Sequence, residues 1–62
     1  MFQAVYPYNA STEIELTVSS GEVVRVVDKH DLDGNTEWWL VESCASQKGY
    51  VPASYLYKIQ SP

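Results

Sequence analysis

Apolar and polar residues alternate with period two in this chain, and only in short runs. Phe2, Ala4 and Tyr6 alternate with Gln3 and Val5, Leu16 and Val18 with Glu15 and Thr17, and Val24 and Val26 with Arg25. A further run, Trp38-Trp39-Leu40-Val41, is rich in strand formers, and Gly49-Tyr50-Val51 is a short one stopped by Pro52. A period of two places successive side chains on opposite faces of a strand, and no segment carries the 3.6-residue period of a helix of several turns. The one helical turn expected is Ala53-Ser54-Tyr55, directly after Pro52, where proline suits the first turn. Between the strands stand turn formers: Ser19-Ser20-Gly21-Glu22 reads as a tight reversal and Asp31-Leu32-Asp33-Gly34-Asn35 as an exposed loop. Ser43 to Lys48 reads as a hairpin connection, and Asn9 to Ile14, without alternation, as a long loop.

About five short strands in so small a chain predict an all-β fold, a small and strongly bent antiparallel barrel. A flat open sheet would leave edges that 62 residues could not cover. Parity selects Phe2, Ala4, Leu16, Val18, Val24, Val26, Val41, Val51 and Leu56 as the core. Each large member contributes about 1.5–3 kcal/mol on full burial. Nothing covalent supplements it. With one cysteine, Cys44, and one histidine, His30, the chain can form neither an internal disulfide nor a four-ligand zinc site.

The formal net charge of −4 excludes a binder of nucleic-acid phosphates, which needs a basic surface. No apolar run approaches the roughly 18–20 residues of a membrane span, and no signal peptide is evident. A lone thiol without an export signal fits a reducing, cytoplasmic setting. The chain reads as a module excised from a longer protein, with Met1 an added start. An enzyme is disfavoured, because His30 and Cys44 fall on different loops with no third partner, and no cofactor or metal is implied.

What the core does not need is the aromatic excess. Tyr6, Tyr8, Trp38, Trp39, Tyr50, Tyr55 and Tyr57 remain after the core is assigned. Any one of them could cap a small core with its polar tip in water, but seven exceed the rim positions of so small a barrel. Clustered exposed rings suggest a recognition surface. Aromatic ridges with hydroxyl and indole donors suit a polyproline II strand, whose carbonyls are free and whose ordering costs little on docking. Glu13 and Glu15 on the first loop, and Asp31, Asp33 and Glu37 on the second, would attract an Arg or Lys beside the prolines. Asp31 and Asp33 fit a merely solvated role equally well. Rings plus carboxylates would also serve a small-barrel reader of methylated lysine, so composition leaves that alternative open.

Five segments stand in order and properly spaced, and the first and last of them decide between these readings. Ala4-Val5-Tyr6-Pro7-Tyr8, Glu15-Leu16-Thr17-Val18, Ser20-Gly21-Glu22, Trp38-Trp39-Leu40 and Gly49-Tyr50-Val51-Pro52-Ala53-Ser54-Tyr55-Leu56 together resemble the signature of the SH3 domain family. The resemblance implies a five-stranded SH3 barrel over residues 1–60, with 61–62 as a tail or start of a linker. It implies an RT loop over the first long loop, an n-Src loop around Asp31 and a distal hairpin over Ser43 to Lys48. Tyr57 and Ile59 would finish the last strand. By motif position Tyr6, Tyr8, Trp38, Pro52 and Tyr55 would form proline-binding grooves, with Tyr50 on the specificity side. Glu15 would pair with the ligand's basic residue, helped by Glu13 and Glu37, while Trp39 would pack on the barrel. The implied partners are proline-rich segments of other proteins or of the same parent chain, bound by a domain that is monomeric in isolation. Neither nucleic acid nor membrane is implied. Three departures stand out: Pro7 for an acid, Ser54 for an asparagine, and Ile14 for a residue that is often polar. The run Gly34-Asn35-Thr36-Glu37-Trp38-Trp39-Leu40 with Lys48-Gly49-Tyr50-Val51-Pro52 is further similar to the C-terminal SH3 domain of Tuba-type Rho guanine-nucleotide exchange factors.

Overall fold

The computed structural model describes residues 1–59. The expected domain end at residue 60 and the tail at 61–62 lie outside the described residues. Five antiparallel strands form: β1 (Phe2–Ala4), β2 (Val23–Asp28), β3 (Trp38–Glu42), β4 (Lys48–Pro52) and β5 (Leu56–Lys58). A 3-10 turn over Ala53–Tyr55 joins the last two, as the proline before it predicts. The strands lie in the order β4-β3-β2-β1-β5. In β2 and β3 the pairing runs Val26 against Val41 and then Asp28 against Leu40, a slip that bends the sheet. No helix among the described residues is long and apolar enough to cross a membrane.

Ala4, Leu16, Val18, Val24, Val41 and Val51 are buried, each from an inward parity position. Phe2, Val26 and Leu56, also expected inside, are only partly buried and pack against that cluster together with Tyr8 and Trp39. They sit at the margins because six small and medium aliphatic residues already fill the middle of so small a sheet.

Two expectations are corrected. The Leu16–Val18 segment is not a strand. Its neighbourhood makes two isolated bridges instead, Tyr8 with Val18 and, in parallel sense, Glu15 with Tyr50. Because the segment faces two different partners, neither can extend a ladder along it; burial of Leu16 and Val18 holds it in place. The first strand ends at Ala4, and Tyr6 lies beyond it, 59% exposed.

The sheet does not close by a β4–β5 ladder. The outer edge of β4 is covered by the first long loop: the Leu16 amide donates to the Tyr50 carbonyl (3.1 Å) and the Tyr50 amide to the Ile14 carbonyl (2.8 Å). Gly49 permits this approach, since a Cβ there would meet the Leu16 backbone nitrogen at 2.7 Å. Gly21 takes a φ of +87° in the reversal before β2. The Ser43–Lys48 hairpin forms as expected, but its left-handed residue is Ser46, with φ of +63°.

Candidate functional site

Period two within β3 sends two adjacent tryptophans to opposite sides. Trp39 packs edge-to-face on Phe2, with ring centroids 5.3 Å apart, and its indole Nε1 donates to the Thr36 carbonyl at 2.9 Å. Lys29 Nζ lies 5.5 Å from the Trp39 ring and 5.9 Å from that of Phe2, a cation held against both. Trp38 turns the other way, and among the described residues no acceptor meets its indole N–H.

On the Trp38 side the expected rings meet. Tyr6 and Tyr55 have centroids 5.6 Å apart, Tyr55 and Tyr8 5.7 Å, and Tyr8 and Trp38 5.9 Å, each edge-on to the next. Edge-on contact leaves ring faces open and creates ridges with furrows between them. Pro52 lies across the ladder from Trp38. Thr36, Glu37, Trp38, Pro52, Ala53 and Ser54 line an open cleft of about 410 Å³ at this end of the row. Glu37 is tied to it through its backbone, whose carbonyl accepts from the Ala53 amide at 2.8 Å.

A second hollow, of about 120 Å³, lies between the first long loop and the Asp31 loop. Its walls are Ile14, Glu15, Asp31, Trp38 and Tyr50. The loop of residues 9–17 reaches it by a series of cross-links. Tyr8 and Val18 exchange backbone hydrogen bonds of 2.9 Å, and the Ala10 amide donates to Thr17 Oγ1 at 3.0 Å. Glu15 Oε1 accepts from the Ser11 amide (2.9 Å), the Ser11 hydroxyl (3.0 Å) and the Tyr8 hydroxyl. The Ser11 amide first, and the Tyr8 hydroxyl second, hold the Glu15 carboxyl below the usual glutamate range. The same bond from Tyr8 to Glu15 pushes the Tyr8 hydroxyl above its ordinary value. Across the hollow, Asp31 Oδ1 accepts from the amides of Asp33 and Asn35, both at 2.9 Å.

Of the site residues expected from the sequence, Tyr6, Tyr8, Trp38 and Tyr55 share the ring row, Glu37 and Pro52 join Trp38 at the cleft, and Glu15 and Tyr50 line the hollow. Glu13 is exposed and lines neither cavity. Asp31, expected only as one of the loop acids that could attract a basic residue, and Ile14, expected only as an apolar departure in the first loop, also line the hollow.

The described geometry agrees with comparisons to known proteins. The family model of the variant SH3 domain matches residues 4–57. Dynamin-binding protein of Homo sapiens is 40% identical over 60 residues, which is 97% of this chain and 4% of that protein. Rho guanine nucleotide exchange factor 38 of Mus musculus is 44% identical over 59 residues, 95% of this chain and 8% of that protein. The chain thus spans a small fraction of the length of these relatives. Among solved structures, the C-terminal SH3 domain of myosin IB from Entamoeba histolytica, bound to an EhFP10(GEF) peptide, superposes with a TM-score of 0.81 at 29% identity, over 95% of this chain and 90% of that one. The SH3 domain of yeast NBP2 superposes with a TM-score of 0.82 at 25% identity, over 95% of both chains.

Proposed function

The chain belongs to the SH3 domain family, and from that premise we propose that it is a non-catalytic interaction module for Pro-x-x-Pro segments in the polyproline II conformation, flanked by Arg or Lys. The observation that carries this reading is the row Tyr6–Tyr55–Tyr8–Trp38, open along its length and ending beside a hollow with two carboxylates. A row of ridges suits an extended strand whose prolines sit in the furrows. A methyl-ammonium group would call for rings enclosing a point.

In this reading Tyr6, Tyr8, Trp38, Pro52 and Tyr55 hold the prolines, and the free Trp38 indole N–H donates to a peptide carbonyl. Tyr50 lies on the specificity side, and Glu13, Glu15 and Glu37, joined by Asp31, supply the negative field that favours a basic residue. Ser54, lining the cleft, makes a shorter donor than asparagine would, so its bond to the peptide is either weakened or bridged by a water. The relatives support a place within a larger signalling or cytoskeletal scaffold or a Rho exchange factor; in this reading the domain is a monomer and acts in the cytoplasm. The exposed, unpaired Cys44 suits that reducing compartment.

Calorimetric titration with an Arg-flanked Pro-x-x-Pro peptide tests the reading. Saturable binding in the micromolar range, weakened by added salt, is expected. Absence of binding, with a trimethyl-lysine peptide binding in its place, would contradict it.

A further inference from the structure

Trp38 and Tyr55 both touch Tyr8 in the ring row, yet they belong to different elements. Trp38 is the first residue of β3, and Tyr55 is the last of the 3-10 turn. The furrow over Tyr8 is therefore only as well defined as the backbone that joins those two elements. Across the ladder Trp38 faces Pro52, which has no amide to donate. The tie falls one step further out, where the Ala53 amide donates to the Glu37 carbonyl at 2.8 Å. Ala53 is bonded on its other side as well, since its carbonyl accepts from the Leu56 amide and closes the turn. One residue thus fastens the turn to the stretch that precedes Trp38. Glu37 and Ala53 also line the open cleft beside Trp38, so the tie joins its two banks.

Glu37 lies outside β3, and the ladder does not fix it. A side chain does. The Glu37 amide donates to Asn35 Oδ1 at 2.9 Å. Asn35 is itself built into the second loop through its backbone: its amide donates to Asp31 Oδ1 at 2.9 Å, and its carbonyl accepts from the Asp31 amide at 3.0 Å. A side-chain oxygen that accepts from the amide two residues on is an arrangement suited to Asn and Asp, whose reach is right for it. The bonds run from Asp31 through Asn35 and Glu37 to Ala53, with the Asn35 carboxamide as the link between loop and strap.

Resting on the groove reading above, we propose that Asn35 is a positioning residue for the groove: through Glu37 and Ala53 it sets the turn that carries Tyr55 against Trp38, and so the furrow that takes a proline. It touches no ligand and adds no charge. Its effect on binding is therefore independent of the peptide's basic residue, which separates it from the acids on the same loops.

Two peptides test this, one Arg-flanked Pro-x-x-Pro peptide and one with citrulline, a neutral isostere, in place of that arginine. Asn35→Ala removes the acceptor and should weaken both by the same factor, about three- to fivefold, as loss of one modest hydrogen bond does. Asn35→Asp keeps an oxygen in place and should bind the citrulline peptide within about twofold of wild type. Amide exchange supplies a readout that a general loss of stability would not give. In Asn35→Ala the Glu37 and Ala53 amides should exchange faster, while those of Val24 and Val41 in the core keep their wild-type rates. The assignment is overturned if Asn35→Ala binds both peptides as wild type does, if its loss is confined to the arginine peptide, or if Asn35→Asp fails to restore the citrulline peptide. Uniform acceleration of exchange across the barrel would also overturn it, because Asn35 would then serve stability alone. Wild-type protein that binds neither peptide would overturn the groove reading and, with it, this role of Asn35.

Discussion

Trp38 and Trp39 are consecutive in one strand and have opposite duties. Trp39 is satisfied within the fold: its ring meets Phe2 and the Lys29 ammonium, and its indole N–H is bonded to Thr36. Among the described residues Trp38 meets one ring, Tyr8, and otherwise borders two open cavities. The difference follows from strand parity alone, since neither residue type nor strand differs. Where a side chain's apolar surface and its polar atom both find partners inside the molecule, it serves stability. Where they do not, it is left for a ligand.

The sharpest way to break this comparison is to substitute both residues. Trp38→Lys should lower peptide affinity by roughly a hundredfold or more, as loss of a central aromatic anchor does, while thermal unfolding stays nearly unchanged. Trp39→Ala should do the reverse, costing about 3 kcal/mol in denaturant unfolding. Peptide affinity of its folded fraction should be retained. Joint loss of stability and binding in Trp38→Lys would place that ring in the core.

Gly49→Ala probes how the groove side is attached to the barrel. The added methyl would strike the Leu16 backbone, so the covering segment must move away from β4. A loss of about 1–3 kcal/mol is expected, with amide exchange at Leu16 and Tyr50 accelerating more than at Val41. A uniform change across the barrel would count against that attachment.

Acidification distinguishes the two sides by their carboxylates. Glu15 on the groove side is held below the glutamate value of 4.5 chiefly by the Ser11 amide, and Glu42, across the strands from Arg25, chiefly by the Arg25 guanidinium. A lowered carboxyl stabilises the fold above its unfolded value, and that contribution is lost as pH falls through the folded value. Both carboxyls should therefore titrate below 4.5 by NMR, and protonation of Glu15 alone should shift the Tyr8 ring and Ser11 amide. Salt should raise the Glu42 titration more, because an exposed ion pair is screened and an amide hydrogen bond is not.

The smallest effect belongs far from the groove. Ser46→Gly should stabilise by about 0.5–1 kcal/mol, since glycine adopts the left-handed turn without a Cβ penalty. Peptide affinity should not change.

Much of this was legible in the sequence because parity is local. The alternation of Val24 and Val26, the strand-forming run around Val41 and the stop at Pro52 correspond to β2, β3 and β4. The fifth strand, Leu56–Lys58, is too short to show a period and rested on the family resemblance. Leu16–Val18 alternates as a strand would, yet its partners are split between Tyr8 and Tyr50, a tertiary fact that alternation does not encode. In the site, the rings stood out by number and motif position. The bonds from Tyr8 and Ser11 to Glu15 did not, because they close a loop between residues seven and four apart with no repeating pattern.

The most direct test of the recognition face is the pair of indole N–H signals in an NMR titration with the Arg-flanked proline peptide. The Trp38 signal should move with the Tyr8 and Tyr55 amides, while that of Trp39, bonded to Thr36, should stay in place. A moving Trp39 signal with a stationary Trp38 would contradict the assignment of the binding face.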